Sequence, residues 1–295
     1  MTENNILNHD RSRYNAIFMQ ISAAILWSMG GLLIKLVELN PIAIAGIRSL
    51  IAVFVIMFFL KKSVFKLTWN KIFGAVSYTS MVILFVCATK ATTAANAILL
   101  QYTSPIYIAI LGGWLLHERA KLREWITILF VIGGMTLFFL DNASGGSIRG
   151  NILGVLSGVA MAFNTIFMRR QKNADPLENV FWGSILTVIV SIPFMATAAP
   201  SHKGWVGLIL LGILQLGVPY ILYSKAIKKI TALEATFLSL VEPLLNPLWV
   251  FLTVGEIPGK LPILGGVIVL VSVIVSCFRP KGKVLIENLI SRNGD

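Results

Sequence analysis

The acidic residue of this chain best placed to do chemistry is Glu242, which sits inside the apolar run 231–254 with Val241 before it and Pro243 after it. A carboxyl removed from water holds its charge only at a large cost in solvation. Such a group can exchange a proton, pair with a cationic solute, or serve as a structural hydrogen-bonding group. Arg48 is the basic residue left inside an apolar run, 41–60. Three readings of it stay open: it pairs with Glu242 as a gate or a structural couple, it takes an anion or carboxylate directly, or it reaches along its stem to the outer interface. At 1.5 Å per residue, Glu242 lies about 16 Å from one face of a hydrocarbon core about 30 Å thick and Arg48 about 10 Å from the other, so their depths are compatible. A pair between them would act against proton exchange by Glu242.

Spacing adds neighbours to these two charges. Ala235, Ser239, Glu242 and Asn246 recur at intervals of 4, 3 and 4, one face of a helix. Sliding the chain against itself by 138 residues gives eight identities in 31 positions, among them Pro105 on Pro243 and Glu118 on Glu256, and sets Ala97, Gln101, Ser104 and Ile108 under that stripe. Pro105 and Pro243 have no N–H to bond back to the carbonyls of Gln101 and Ser239. Two carbonyls are then free to face one cavity, unless neighbouring Ser, Thr or water takes them up. Trp27, Tyr102, Tyr107, Phe163, Trp182, Tyr220 and Tyr223 also fall inside apolar runs. Most such rings anchor at interfaces, but Trp27 is central and is followed by Ser28, Gly30 and Gly31, small residues that let helices approach. Asn164 has the corresponding place in the second half. The predicted binding set is therefore Trp27, Gln101, Tyr102, Ser104, Asn164, Tyr220, Ser239, Glu242 and Asn246, with Arg48 and Glu242 as the charge pair and Pro105 and Pro243 as helix breaks.

The elements that must hold these residues follow from composition. Of 295 residues 56% are hydrophobic and 13% charged, with a mean hydropathy of +0.81, values that belong to a bilayer rather than to a globular domain. Charges and turn residues divide the chain into ten apolar runs at 14–36, 41–60, 70–89, 92–116, 122–140, 150–170, 177–199, 204–224, 231–254 and 260–278. Each is near the roughly 20 residues that a crossing helix needs. Short connections exclude a large soluble domain, and no G-x-x-x-x-G-K-[ST] run exists to hold a nucleotide. The formal charge of +12 lies mostly in those connections, where Lys and Arg set orientation and meet anionic headgroups rather than nucleic acid. His9, His117 and His202 are scattered, and Cys87 and Cys277 lie in apolar runs, so no metal, disulfide or other cofactor is implied. A lipid-modifying enzyme would need paired acids or histidines at one interface. The nearest clusters, Glu118 with Glu124 and Asp175 with Glu178, stand beside Arg and Lys and read as solvated faces.

Of the 25 basic residues, 19 fall on the side of the N-terminus and five, Lys35, Lys90, Arg149, Lys203 and Lys260, on the other, with Arg48 left over. That asymmetry predicts cytoplasmic termini in an inner or plasma membrane. The polar start through Arg13 and the 21 apolar-rich residues from Tyr14 to Ile34 do not match a cleaved signal. The predicted layout is a tail at 1–13, five helices at 14–140, a linker at 141–149, five more at 150–278, and a tail at 279–295. Five is odd, so the second set enters from the opposite side. The predicted fold is an all-α integral membrane protein of ten transmembrane helices, arranged as two inverted five-helix repeats, a plan that supports alternating access.

On these residues the chain resembles the EamA branch of the drug/metabolite transporter superfamily. The resemblance is carried by the ten-span plan, by Ala24-Ile25-Leu26-Trp27-Ser28, by Pro41 with Arg48, and by the repeated progression from Ala94 through Pro105 to Leu116-His117-Glu118 and from Ala232 through Glu242-Pro243 to Gly255-Glu256. It implies a secondary transporter, not an enzyme, that moves a small polar metabolite such as an amino acid or an amine. Export in exchange for protons is the favoured direction, with an uncoupled facilitator or an importer of a cationic solute as the alternative. Small-molecule substrate, protons and membrane lipids are the implied partners, and the sequence does not give the oligomeric state. One departure stands out. By the Pro41 to Pro176 match the second half carries Gly183 where the first carries Arg48.

Overall fold

The computed structural model describes residues 3–60, 68–142, 147–254 and 260–277. Every regular element among them is helical. The first half comprises α1 (Glu3–Trp27), α2 (Gly30–Leu36), α3 (Pro41–Met57), α4 (Trp69–Ala91), α5 (Ala94–Gln101), α6 (Ser104–Leu115) and α7 (Leu122–Asn142). The second comprises α8 (Ile148–Arg170), α9 (Leu177–Met195), α10 (His202–Leu210), a π-helical turn at Leu211–Gly217, α11 (Val218–Ala226), α12 (Ala232–Ser239), α13 (Val241–Val254) and α14 (Lys260–Cys277). Among the described residues six stretches are long and apolar enough to cross a membrane: Arg11–Leu36, Trp69–Ala91, Ala94–Leu115, Ile148–Arg170, Leu177–Met195 and His202–Ala226. The protein is a multi-pass membrane protein.

Helix starts are written in local chemistry. Asn40 accepts a hydrogen bond from the Ile42 amide and Pro41 opens α3, its missing N–H costing nothing at that position. Thr93 and Thr231, equivalent in the 138-residue alignment, cap α5 and α12 by accepting from Asn96 N and Glu234 N at 3.1 and 3.2 Å. Pro105 and Pro243 do not kink continuous helices. The chain breaks just before each, at Tyr102–Thr103 and at Leu240, and resumes with the proline in the first turn, where it needs no partner.

Equivalent elements exchange partners across the two halves. α4 packs on α8 as α11 packs on α1, α5 on α8 as α12 on α1, while α3 meets α9 and α7 meets α14. Two hydrogen bonds repeat this exchange: Gln20 on α1 donates to Ser239 Oγ on α12, and Gln101 on α5 donates to Ser157 Oγ on α8, both at 2.7 Å. The helix interruptions are thereby brought together in the middle of the bundle.

A buried ion pair also differs from the sequence expectation. Glu178 and Lys71, at the starts of α9 and α4, are both buried and paired with each other. Glu178 is not a solvated loop charge, because α9 begins one residue earlier and packs on α4. Glu118 likewise accepts from Arg169 Nε at 2.6 Å and from the Ala232 amide at 3.1 Å, tying the end of α6 to α8 and α12.

Candidate functional site

A small cavity of about 40 Å³ lies where the interrupted helices meet, lined by Trp27, Arg48, Met81, Val82, Phe85, Gln101, Met161, Gln215, Leu216, Tyr220 and Glu242. Four of its liners stand beside backbone interruptions, while Arg48 projects from the middle of α3. Trp27 ends α1, Gln101 ends α5, Gln215 is in the π-helical turn, and Glu242 is the second residue of α13. Broken and π-helical backbone at membrane depth is tolerated where protein or a cavity surrounds it, and it aims polar groups inward.

Arg48 is only 1% exposed and its partners are neutral. Nη1 donates to Gln215 Oε1 at 2.6 Å and Nη2 to the Val82 carbonyl at 3.4 Å, while Nε has no partner. Gln215 comes this close to α2 because Gly30 has no side chain; a Cβ there would stand 2.8 Å from Gln215 Nε2. Arg48 and Glu242 share the cavity wall without forming an ion pair.

Glu242 has a different partner. Its Oε2 lies 2.7 Å from the Tyr102 hydroxyl, which is also 2.7 Å from the Ser239 carbonyl. That carbonyl is the one Pro243 cannot bond, so the helix break supplies a second acceptor to the same phenol. One hydroxyl proton serves one acceptor at a time. With Tyr102 donating to Ser239, a proton on Glu242 completes the set; with Tyr102 donating to Glu242, the carboxylate is held and the carbonyl is released. The set can therefore satisfy either form of the Glu242 carboxyl, protonated or ionised, with a single hydroxyl rotation. Aromatic rings close the adjacent wall, with Trp27 5.2 Å from Tyr220 and 5.5 Å from Tyr223, centroid to centroid, both edge to face.

Of the sequence-predicted residues, Trp27, Arg48, Gln101, Tyr220 and Glu242 meet at the cavity. Tyr102 and Ser239 are buried and reach it through Glu242. Ser104 is buried with its hydroxyl 3.7 Å from Met161 Sδ, and Asn164 turns its amide toward Met168 Sδ at 3.8 Å; neither is on the wall. Pro105 and Pro243 are buried at the two breaks, and the side chain of Asn246 lies outside the described residues. Gln215 is the polar liner that sequence reasoning missed. It stands alone in Leu208-Ile209-Leu210-Leu211-Gly212-Ile213-Leu214-Gln215-Leu216, the same signal that singled out Glu242. Among the described residues, no group of three His, Cys, Asp or Glu could hold a metal ion.

Known proteins resemble the chain throughout. A solved crystal structure superposes with a TM-score of 0.76, covering 90% of this chain and 96% of its own at 18% identity, which shows the fold. An uncharacterized transporter of Archaeoglobus fulgidus is 25% identical over 65% of this chain and 70% of its own length. The pseudopaline exporter of Pseudomonas aeruginosa is 24% identical over 64% and 67%, and a probable amino-acid metabolite efflux pump of Salmonella typhimurium 23% over 61% and 62%. The model of the EamA-like transporter family matches residues 14–140 and again 148–278. The chain is thus a two-repeat member of the EamA-like transporter family, a transporter and not an enzyme.

Proposed function

We propose that this transporter carries a small polar metabolite out of the cell by alternating access, in exchange for protons taken up at Glu242. The observation that carries the reading is the cavity itself: a buried acid and a buried arginine, each unpaired with the other, face one space enclosed by the interrupted helices of both halves. Trp27, Arg48, Gln101, Tyr220 and Glu242 contact the solute. Tyr102 and Ser239 hold Glu242, and Ser104, Asn164 and Asn246 line the path or support its walls. The spans number ten, in two inverted repeats at 14–140 and 150–278 joined by 141–149, with both terminal tails, 1–13 and 279–295, in the cytoplasm of an inner or plasma membrane.

In that topology the ion pairs Arg13–Glu234, Lys71–Glu178 and Arg169–Glu118 all fall at the cytoplasmic ends of their helices. They favour a conformer closed toward the cytoplasm. The exporter names of two relatives support the direction of transport. The test is flux in sealed vesicles: an imposed proton gradient is expected to drive solute movement and proton counterflow in the wild type and neither in Glu242→Gln. Gradient-driven flux that persists in Glu242→Gln removes that residue from coupling.

A further inference from the structure

We infer that Arg48 is an anion site in the cavity and that the solute carried presents a carboxylate to it. The inference rests on the cavity being the transport site and narrows its substrate class. A guanidinium has five N–H donors. At Arg48 one donor each on Nη1 and Nη2 meets a neutral oxygen, Nε–H meets nothing, and the side chain is all but fully buried on the cavity wall. Burying that charge without a counter-charge is costly. The acidic liner, Glu242, is held by Tyr102, and the ion pairs Arg13–Glu234, Lys71–Glu178 and Arg169–Glu118 lie elsewhere.

The donors left over on Arg48 therefore suit a ligand of negative charge whose shape fits a planar fork. A carboxylate meets that need with two parallel charge-assisted hydrogen bonds. Gln215 plays a positioning part, since its oxygen holds Nη1 without neutralising it, and the space for it is made by Gly30 and the π-helical turn. The rings of Trp27 and Tyr220 on the same wall offer apolar surface to the rest of the solute. An amine lacking an acid group would find a cation where it needs an acceptor.

The experiment is a thermal-shift titration of the full chain in lipid nanodiscs, since a ligand that binds the folded state raises the transition by mass action. The probes are the common α-amino acids and short mono- and dicarboxylic acids, together with amides and amines of the same carbon skeletons. Stabilisation is expected from one or more acids, with their amides and amines about tenfold weaker or worse. Arg48→Gln should erase that preference, and Arg48→Lys should keep it at several-fold lower affinity. If Arg48→Gln does not fold, the lysine variant decides: undiminished affinity for the acid overturns the inference. It is also overturned if an amine or amide binds as well as its acid, if acid preference survives Arg48→Gln, or if no acid stabilises the wild type. Binding of an amine that depends on Glu242 would overturn the anion site and leave proton-coupled transport standing. Acid binding without gradient-driven flux would do the reverse.

Discussion

In the first half one span runs as α5 from Ala94 to Gln101 and resumes as α6 at Ser104; 138 residues later α12 runs from Ala232 to Ser239 and α13 begins at Val241. The scaffolding around the two breaks matches closely. Thr93 and Thr231 cap the starts of α5 and α12 alike, and just upstream Lys90 donates to the Val37 carbonyl at 2.6 Å as Lys228 donates to that of Ala174 at 2.7 Å. The chemistry at the breaks does not match. Tyr102 stands opposite Leu240 in the 138-residue alignment and Ser104 opposite Glu242, and by the Pro41 to Pro176 match Arg48 stands opposite Gly183. Where Arg48 reaches Gln215, Gly183 instead receives the ring of Tyr78, and a Cβ at that glycine would lie 2.6 Å from it. Duplicated caps and breaks shape the cavity, and unduplicated side chains charge it.

The largest effect that would break this comparison is at the acid. Glu242→Gln should reduce proton-driven flux to background in reconstituted vesicles. Moving the acid to its repeat partner, Ser104→Glu with Glu242→Ser, should not restore it, because Leu240 offers no hydroxyl where Tyr102 does. Next comes the phenol. Tyr102→Phe leaves a buried carbonyl and carboxyl without their shared donor, which should cost about 1–3 kcal/mol in reversible unfolding. A conservative apolar change at the equivalent site, Leu240→Met, should cost less than about 1.5 kcal/mol.

Smaller still is the exchanged pair of glutamines. Gln20→Leu and Gln101→Leu each remove one buried 2.7 Å hydrogen bond to a serine, so both should destabilise by about 1–2 kcal/mol. Only Gln101→Leu should also change the apparent KM for the transported solute, since Gln101 is on the cavity wall. The smallest effect sits at the end of α6. His117 adopts a left-handed backbone, φ 60, and the Glu118 amide bonds back to the Gly112 carbonyl, a helix stop that favours glycine. The aligned residue is Gly255. His117→Gly should raise stability by up to about 1 kcal/mol, read as a small rise in Tm.

Much of this was legible in the residues. Apolar runs placed the helices, the 138-residue offset aligned the breaks, and isolation in an apolar stretch marked Glu242 and Arg48. Partners were harder to read, because they depend on which helices touch. Depth alone allowed Arg48 to meet Glu242, but the π-helical turn put Gln215 in reach of Arg48, and the break at Leu240 turned the Ser239 carbonyl toward Tyr102. Asn164 showed the same limit from the other side. Its position in the second half suggested a wall residue, yet the rotation of α8 turns its amide to Met168 and leaves Met161 on the cavity.

The central claim is that one cavity between the two halves opens to each face in turn, and accessibility of Met161 tests it most directly. In a chain with Cys87 and Cys277 replaced by alanine, Met161→Cys is treated with a membrane-impermeant thiol reagent from either side of sealed vesicles under opposite proton gradients. The account predicts modification from one side under one gradient and from the other under its reverse, with carried solute protecting in both. Modification from both sides under a single gradient, or protection under neither, would contradict it.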